Sequence, residues 1–219
     1  MKKQKAIRGT FLLVITLTLL ITACTPAGYQ TCLESGTPFP EPAEGEEYVD
    51  FTIENNTCMS ICEVLVSPDN CEYMGGPDWV EGYPLRSGES VTQSIPQGKY
   101  AVWVELCTEE FRADEHIKVF SNETHVVNDS GKGSTPPCST SLTVINQTDV
   151  PICKLLISIS GSIYDSRNWL GVEQITSGEE LVLTLRPDTY DIQALDCTGS
   201  SMRFDGDTQI SGHQDWLVE

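Results

Sequence analysis

Hydrophobic and polar residues alternate with a period of two through much of the chain after residue 50, which is the pattern of strands with one buried face. Apolar residues occupy every second position at 62–66 and again at 181–185. Turn residues at 96–99 separate two such runs, and no stretch after residue 23 keeps the period of a capped helix. The pattern therefore predicts an all-β fold of short strands.

An internal repeat divides this β region into two modules. Identical residues recur at an offset of 91 and then of 90, and they include the rare types Trp and Cys. The first-module residues that recur are Thr52, Asn55, Thr57, Ile61, Cys62, Ser67, Trp79, Ser87, Gly88, Glu89, Tyr100, Cys107 and Thr108. We therefore predict two homologous modules, 48–129 and 139–219, joined by a linker at 130–138. Because the core of a sheet needs a second sheet to cover it, each is predicted to be an antiparallel β-sandwich of roughly seven strands, loosely immunoglobulin-like.

The N-terminal segment has the parts of a secretory signal peptide. A basic stretch at 1–8 precedes an apolar run at 11–21, which is too short to cross a bilayer as a helix. The residues Ile21-Thr22-Ala23-Cys24 resemble the bacterial lipobox. This resemblance implies that the signal peptide 1–23 is removed and that the Cys24 thiol carries a diacylglycerol. The alternatives are an ordinary exported protein cut nearby and a retained anchor.

Charge and composition narrow the possible partners. The chain has 13 Lys and Arg against 32 Asp and Glu, and removal of residues 1–23 changes the net charge from −19 to −23 because four basic and no acidic residues are lost. A chain so poor in cations is not expected to bind nucleic acid. Residues 24–47 are rich in Pro and Glu and are predicted to be an extended tether. The lipid alone is therefore expected to anchor the protein to its membrane. The expected location is outside the cytoplasm, on the cell membrane or the outer membrane.

Eight cysteines remain besides Cys24, and an even number in an exported chain indicates disulfides. Matching positions in the two modules, and then nearness in sequence, predict the pairs. They are Cys62 with Cys107, Cys153 with Cys197, Cys58 with Cys71 and, as the remaining two, Cys32 with Cys138. A lone Cys-x₃-Cys without a second pair or His partners is not a zinc signature, so no metal site is predicted.

The aromatic residues divide into a recurring and a unique set. The tryptophans and tyrosines that recur are interpreted as core or corner residues that the fold requires. Trp103 and Trp216 do not recur, and they are the candidate contacts for a protein or glycan ligand.

Two acidic runs could supply the oxygen ligands of a calcium ion. They are Glu109, Glu110, Asp114 and Glu115, and the run Asp205-Gly206-Asp207. Neither run has the spacing of an EF-hand loop. We therefore interpret both as solvated acidic loops and keep calcium binding as an alternative.

No hydrolase, P-loop or dinucleotide-binding motif is present in the sequence, so neither an enzyme nor a cofactor is predicted. The recurring Ser-Gly-Glu pattern is similar to that of small β-sandwich repeats in secreted bacterial proteins of unassigned role, and this resemblance carries no functional residue. The predicted function is a membrane-anchored, non-catalytic module that binds a protein or glycan or acts as a spacer. The alternatives are a calcium- or carbohydrate-binding module and a secreted hydrolase.

Overall fold

The computed structural model describes residues 39, 47–69, 71, 75–129, 138–162 and 167–219. The predicted signal peptide, most of the predicted tether and linker residues 130–137 lie outside the described residues, as do Cys24 and Cys32. In the described part of the chain, no helix is long and apolar enough to cross a membrane.

Each module contains six strands within the described residues. Module 1 has β1 (Tyr48–Asn56), β2 (Ile61–Pro68), β3 (Ser90–Pro96), β4 (Gly98–Leu106), β5 (Phe111–Val119) and β6 (Glu123–Asn128). Module 2 has β7 (Thr140–Asn146), β8 (Ile152–Ile159), β9 (Glu180–Leu185), β10 (Asp188–Asp196), β11 (Ser201–Ile210) and β12 (His213–Val218). The expected count of about seven strands is one too high for this part, because the segment between β2 and β3 meets β2 only through isolated bridges.

Strand pairing gives each module two three-stranded sheets. Their orders are β3-β1-β6 and β2-β4-β5 in module 1, and β9-β7-β12 and β8-β10-β11 in module 2. Strand β6 runs parallel to β1, and β12 runs parallel to β7, whereas the other neighbours are antiparallel. The predicted all-β fold of two sandwich-like modules is confirmed, and each module adds one parallel pair to the expected antiparallel ones.

The core of each module is built from residues of both its sheets. In module 1, Phe51 of β1 and Val102 of β4 are 0% and 1% exposed. Trp79 is buried as well and packs edge-on against Phe51, with ring centroids 5.8 Å apart. Trp169 is buried at the same position of module 2. The recurring tryptophans therefore serve the interior of the fold.

The recurring tyrosines hold the hairpin turns. The hydroxyl of Tyr100 donates to the carbonyl oxygen of Pro96 at 2.5 Å, and that of Tyr190 donates to the carbonyl oxygen of Arg186 at 2.9 Å. Both rings are buried. Each bond reaches back four residues across the turn between two strands, as the hydroxyl of a tyrosine corner does, and so gives a buried polar group its partner.

A buried asparagine organises the turn after the first strand of each module. Asn55 donates through Nδ2 to the carbonyl oxygens of Met59 and Leu85, at 2.9 and 2.8 Å. Its Oδ1 accepts from the backbone N–H and the hydroxyl of Thr57. Asn146 makes the equivalent bonds in module 2. This explains why Asn and Thr recur at these positions, a role that the sequence analysis did not assign.

Candidate functional site

One disulfide in each module joins two neighbouring strands of the same sheet. Cys62 of β2 is bonded to Cys107, which follows β4, with Cα atoms 4.8 Å apart. Cys153 of β8 is bonded to Cys197, which follows β10, with Cα atoms 4.9 Å apart. These are the two pairs that the repeat predicts.

A third disulfide joins Cys58 to Cys138, with Cα atoms 5.2 Å apart. Since a thiol forms one disulfide, the predicted pairs Cys58 with Cys71 and Cys32 with Cys138 are wrong. Cys71 is also disulfide-bonded, but to none of these six cysteines, and Cys32 lies outside the described residues.

The parallel pairing of β6 with β1 explains the third disulfide. It places Asn128 beside Asn56, so the chain leaves module 1 at the end where Cys58 lies. There the Asp129 carboxylate accepts a hydrogen bond from the Cys58 backbone N–H at 2.9 Å. An antiparallel β6 would have ended at the other end of β1, away from Cys58, and nearness in sequence was therefore the wrong guide.

Trp216 is not an exposed contact, so this prediction is wrong. It is 2% exposed, and its Nε1–H donates to Asp205 Oδ2 at 2.6 Å. The guanidinium carbon of Arg203 lies 5.2 Å from the ring centroid, which is within the range of a cation–π contact. In β12 the alternation places Trp216 and Val218 on the buried face.

The same bond between an aromatic ring and a carboxylate recurs in module 1, where His125 Nε2 lies 3.0 Å from Asp114 Oδ2. His125 and Asp114 precede Trp216 and Asp205 by 91 residues, the repeat offset. Because β5 and β6 belong to different sheets, each bond ties the two sheets of its module together at the edge. Identical residues in the two modules did not indicate this bond, because His125 and Trp216 are different residue types. The signal that could have indicated it is the Arg-x-Asp triplet that recurs at 112 and 203.

Trp103 lies on the surface, where a contact residue was predicted. It is half-buried on the outer face of the β2-β4-β5 sheet, beside Leu65 of β2 and Ala113 of β5. Its ring centroid lies 5.4 Å from that of Phe111, which is 52% exposed. Trp103 and Phe111 form the aromatic pair of the outer face.

The acidic runs are not solvated loops throughout, which corrects that interpretation. Asp114 and Glu115 lie in β5, and residues 205–207 lie in β11. Each stretch contains a register irregularity next to a residue with positive φ, His116 at 63° and Asp207 at 52°. Charged residues at consecutive positions interrupt the alternation of hydrophobic and polar residues, so the sequence pattern did not predict strands here.

Several of these carboxylates already have donors as partners. Asp205 accepts from Arg203 as well as from Trp216. Glu110, in the turn before β5, accepts from Arg112 at 3.0 Å and from Arg186 of module 2 at 2.6 Å. These carboxylates therefore act as acceptors within the fold, and this leaves them less able to supply ligand oxygens to calcium.

One group in the described part of the chain brings three potential metal-ligating atoms within 4.8 Å of one another. It consists of Cys58, Asp129 and Cys138. The two sulfur atoms are bonded to each other, and a disulfide sulfur is not the thiolate that binds a metal. The group is a disulfide with an adjacent carboxylate.

A serine, a histidine and an aspartate meet on β7 and β12. Ser141 Oγ lies 2.9 Å from His213 Nδ1, and His213 Nε2 lies 3.2 Å from Asp215. The His213 and Asp215 side chains are 64% and 57% exposed. The trio is therefore a cross-strand polar contact on the solvent-facing side of the sheet.

The two modules meet through an ion pair that joins a half-exposed arginine to a buried carboxylate. Arg167 of module 2 binds Glu105 of β4 through two bonds, Nε to Oε1 at 2.7 Å and Nη2 to Oε2 at 2.5 Å. The same guanidinium lies 3.4 Å from a carboxylate oxygen of Glu63 in β2. Glu105 is only 3% exposed. Fork geometry of this kind is the strong form of a charged hydrogen bond, so it fixes the position of one module on the other.

Two further arginines cross the junction. Arg186 binds Glu110 of module 1, and Arg86 of module 1 binds Glu173 of module 2. All five arginines after residue 23 take part in ion pairs with carboxylates, and they are Arg86, Arg112, Arg167, Arg186 and Arg203. The strongest cations of an acidic chain are therefore used inside the fold and at the junction.

The carboxylates at the junction are perturbed in opposite directions. Burial, and then the hydrogen bond with Glu105, raises the pKa of Glu63 above its ordinary value. Burial also acts to raise the pKa of Glu110, but the guanidinium groups of Arg186 and Arg112 outweigh it and hold that pKa below its ordinary value.

Backbone contact completes the junction. The Val172 N–H donates to the carbonyl oxygen of Gly82 at 2.7 Å, and these two residues are equivalent in the repeat. A Cβ atom on Gly171 would lie 2.1 Å from that same oxygen, and the φ of Gly171 is 59°. Only glycine fits at position 171 without displacing module 1.

Two shallow grooves lie on either side of the Arg86–Glu173 pair. The groove on module 1 has a volume of about 600 Å³ and includes the exposed Tyr83, and the groove on module 2 has a volume of about 470 Å³. Equivalent segments, 80–91 and 170–181, line them. The charged residues of the lining are acidic apart from Arg86. Of these, Glu89 and Glu179 accept backbone N–H groups, so these two carboxylates serve the turns.

Comparison with known proteins identifies no family for this chain. No family model matches the chain, and no curated protein matches its sequence. Three solved structures match, and one of them is the Bacillus anthracis TIE protein, at 8% identity and a TM-score of 0.26. That match covers 78% of this chain but only 34% of the other.

Proposed function

We propose that this protein is an exported, lipid-anchored lipoprotein whose two disulfide-stapled β modules form a non-catalytic binding or spacer unit outside the cytoplasm. The observation that carries the proposal is that all seven cysteines of the described residues are disulfide-bonded. Disulfides persist in oxidising compartments. The signal peptide and the lipobox-like residues that end at Cys24 supply the route and the anchor.

The junction supports the spacer part of the proposal. A spacer must keep its far end at a set distance from the membrane, and a freely jointed pair of modules does not. Here the ion pair of Arg167 with Glu105 and the backbone bond between Val172 and Gly82 hold the modules together. The tether between the lipid and module 1 would then set the distance from the bilayer, and the two modules would add a rigid length to it.

The anchor is tested by expressing the full chain in a bacterium that processes lipoproteins. We expect the wild type in the membrane fraction, with an N-terminal peptide that begins at Cys24 and carries the acyl mass. Cys24→Ser should lack that mass, whereas the matched control Thr25→Ser should keep it. A wild-type chain cut at another residue, or a Cys24 without lipid, would contradict the proposal.

Glycan binding is a second candidate, supported by the aromatic pair of the outer face. Trp103 and Phe111 present apolar ring surface next to the polar Glu105 edge, and aromatic rings of this kind dominate contact surfaces. Isothermal titration calorimetry of the protein with soluble oligosaccharides tests it, since this readout does not depend on the Trp103 fluorophore. Trp103→Ala should abolish binding, and Gln193→Ala, the equivalent position in module 2, should not. Binding that survives Trp103→Ala, or no binding by the wild type, would exclude this site.

A further inference from the structure

Both ends of the linker contact the same residue of module 1. At one end, Asp129 follows β6, and its carboxylate accepts from the Cys58 backbone N–H at 2.9 Å. At the other end, Cys138 is covalently bonded to the Cys58 sulfur. The two residues that flank the peptide 130–137 therefore both contact Cys58.

The disulfide is the shorter covalent route between the modules. From Cys58 the route crosses one sulfur–sulfur bond to Cys138, and β7 begins two residues later, at Thr140. The route along the peptide adds all the residues between Asp129 and Cys138. The shorter of two covalent routes sets how far module 2 can move away from module 1. Residues 130–137 therefore do not increase that distance while the disulfide is intact.

The position of module 2 next to Cys58 is fixed by further contacts. The backbone N–H of Arg186 donates to the sulfur of Met59, at 3.4 Å, and the Arg186 guanidinium binds Glu110. Met59 is the neighbour of Cys58 in the chain and is fully buried. The disulfide therefore lies at the edge of an interface that is already packed, which is where a short connection restricts motion most.

We propose that the Cys58–Cys138 disulfide, and not the peptide 130–137, is the connection that holds module 2 on module 1. The chain can then be cut or lengthened between residues 130 and 137 while the two modules remain one particle. For a protein outside the cytoplasm this is a device against proteolysis: hydrolysis of one linker peptide bond does not release module 2, and release needs a thiol reductant as well.

The test replaces residues 131–137 by the recognition sequence of a site-specific protease, in the otherwise unchanged protein. After cleavage, we expect one band in non-reducing electrophoresis and two bands after dithiothreitol. The cut and uncut proteins should elute together in gel filtration and melt at the same temperature. Separation of the modules without reductant, or a lower melting temperature after the cut, would overturn the proposal.

A double variant distinguishes the disulfide from the rest of the junction. In Cys58→Ser/Cys138→Ser, cleavage should give two bands without reductant, and the melting temperature should fall after the cut. The matched control Cys153→Ser/Cys197→Ser lacks a disulfide of module 2 but keeps the connection, so its cut chain should still run as one band. If both double variants behave alike, the effect is one of general stability and the proposal fails.

A second measurement does not depend on cleavage. Insertion of a Gly-Ser stretch between residues 133 and 134 should leave the melting temperature and the radius of gyration of the disulfide-bonded modules unchanged. The same insertion in Cys58→Ser/Cys138→Ser should lower the melting temperature, because the longer loop then lowers the effective concentration of one module at the other. An equal effect in both backgrounds would show that the peptide is the working connection.

Discussion

Modules 1 and 2 are alike inside and different where they meet. The buried Trp, Tyr and Asn residues and the strand-joining disulfide occupy the same positions in both. The three residues of the main junction contact have no counterpart of the same charge. The equivalents of Arg167, Glu105 and Glu63 are Pro77, Leu195 and Lys154. Duplication therefore supplied the fold twice, and the differences between the copies made the junction.

The shared interior is tested by Trp169→Ala and Trp79→Ala. Removal of a buried Trp side chain is expected to cost about 3–5 kcal/mol of unfolding free energy in either module. Of these two, Trp169 donates its ring N–H to the Ile157 carbonyl oxygen at 3.1 Å, whereas the Trp79 ring N–H finds no hydrogen-bond partner among the described residues. Trp169→Phe should therefore cost about 1 kcal/mol more than Trp79→Phe. Urea denaturation measures both differences, and equal costs of the two Phe variants would contradict this account.

The junction is tested by Arg167→Ala. The change leaves the buried Glu105 carboxylate without its cation, and we expect a loss of about 2 kcal/mol, less than for a fully buried pair because the Arg167 side chain is 41% exposed to water. Two separate unfolding transitions should replace one in calorimetry as the modules uncouple. Lys154→Ala, at the position in module 2 that corresponds to Glu63, is the control and should change stability by less than about 0.5 kcal/mol. A single unchanged transition in Arg167→Ala would show that the ion pair does not couple the modules.

The bond between an aromatic ring and a carboxylate at the edge of each sandwich is expected to differ in strength between the modules. Trp216→Phe keeps most of the buried ring but removes the donor to Asp205, so a loss of about 1–2 kcal/mol is expected. His125→Phe should cost less, because the Asp114 side chain that it binds is 63% exposed and water can replace the ring nitrogen. Thermal unfolding ranks the two variants. A larger loss in His125→Phe would reverse our assignment.

The smallest expected effect is a pH dependence of opposite sign at two carboxyls of the junction. The folded-state pKa of Glu63 is above the ordinary 4.5, so its contribution to stability is fully present below that value and is lost as the pH rises through the folded pKa. The folded-state pKa of Glu110 is below 4.5, so its contribution is present above that value and is lost as the pH falls.

These signs predict the behaviour of the two Gln variants. At neutral pH, Glu63→Gln should be at least as stable as the wild type, and Glu110→Gln should be less stable. Both differences should disappear as the medium is acidified and the wild-type carboxyls take up protons. Urea denaturation at neutral pH and at a pH well below 4.5, where Glu110 is protonated as well, measures this, and differences that grow on acidification would contradict it.

Much of the fold could be predicted because residues that the interior requires recur at equivalent positions of the two modules. A Trp or Tyr that recurs in two copies of low overall similarity is needed by the interior, and a recurring Cys pair needs its partner at the same distance in both copies. Period-two alternation then marks which strands have a buried face. These signals are local, or depend on a fixed offset, and the sequence contains them in full.

The junction and the third disulfide could not be predicted in the same way. Alternation has the same period in parallel and antiparallel strands, so it did not show that β6 ends beside Cys58. The face of Trp216 depended on the position of β12 against β7, and a shift of one residue reverses which side chains are buried. Arg167 and Glu105 lie 62 residues apart, and neither has an identical residue at the equivalent position of the other module. The repeat therefore gave no indication of their contact.

The charges at the junction also limit how molecules of this protein can stack. A contact between unlike surfaces can in principle continue from one molecule to the next and form an open filament. Here the next docking position, on the outer face of module 2, offers Leu195 and Lys154 to an incoming Arg167, an aliphatic chain and a like charge in place of two carboxylates. Growth by this contact therefore stops at two modules.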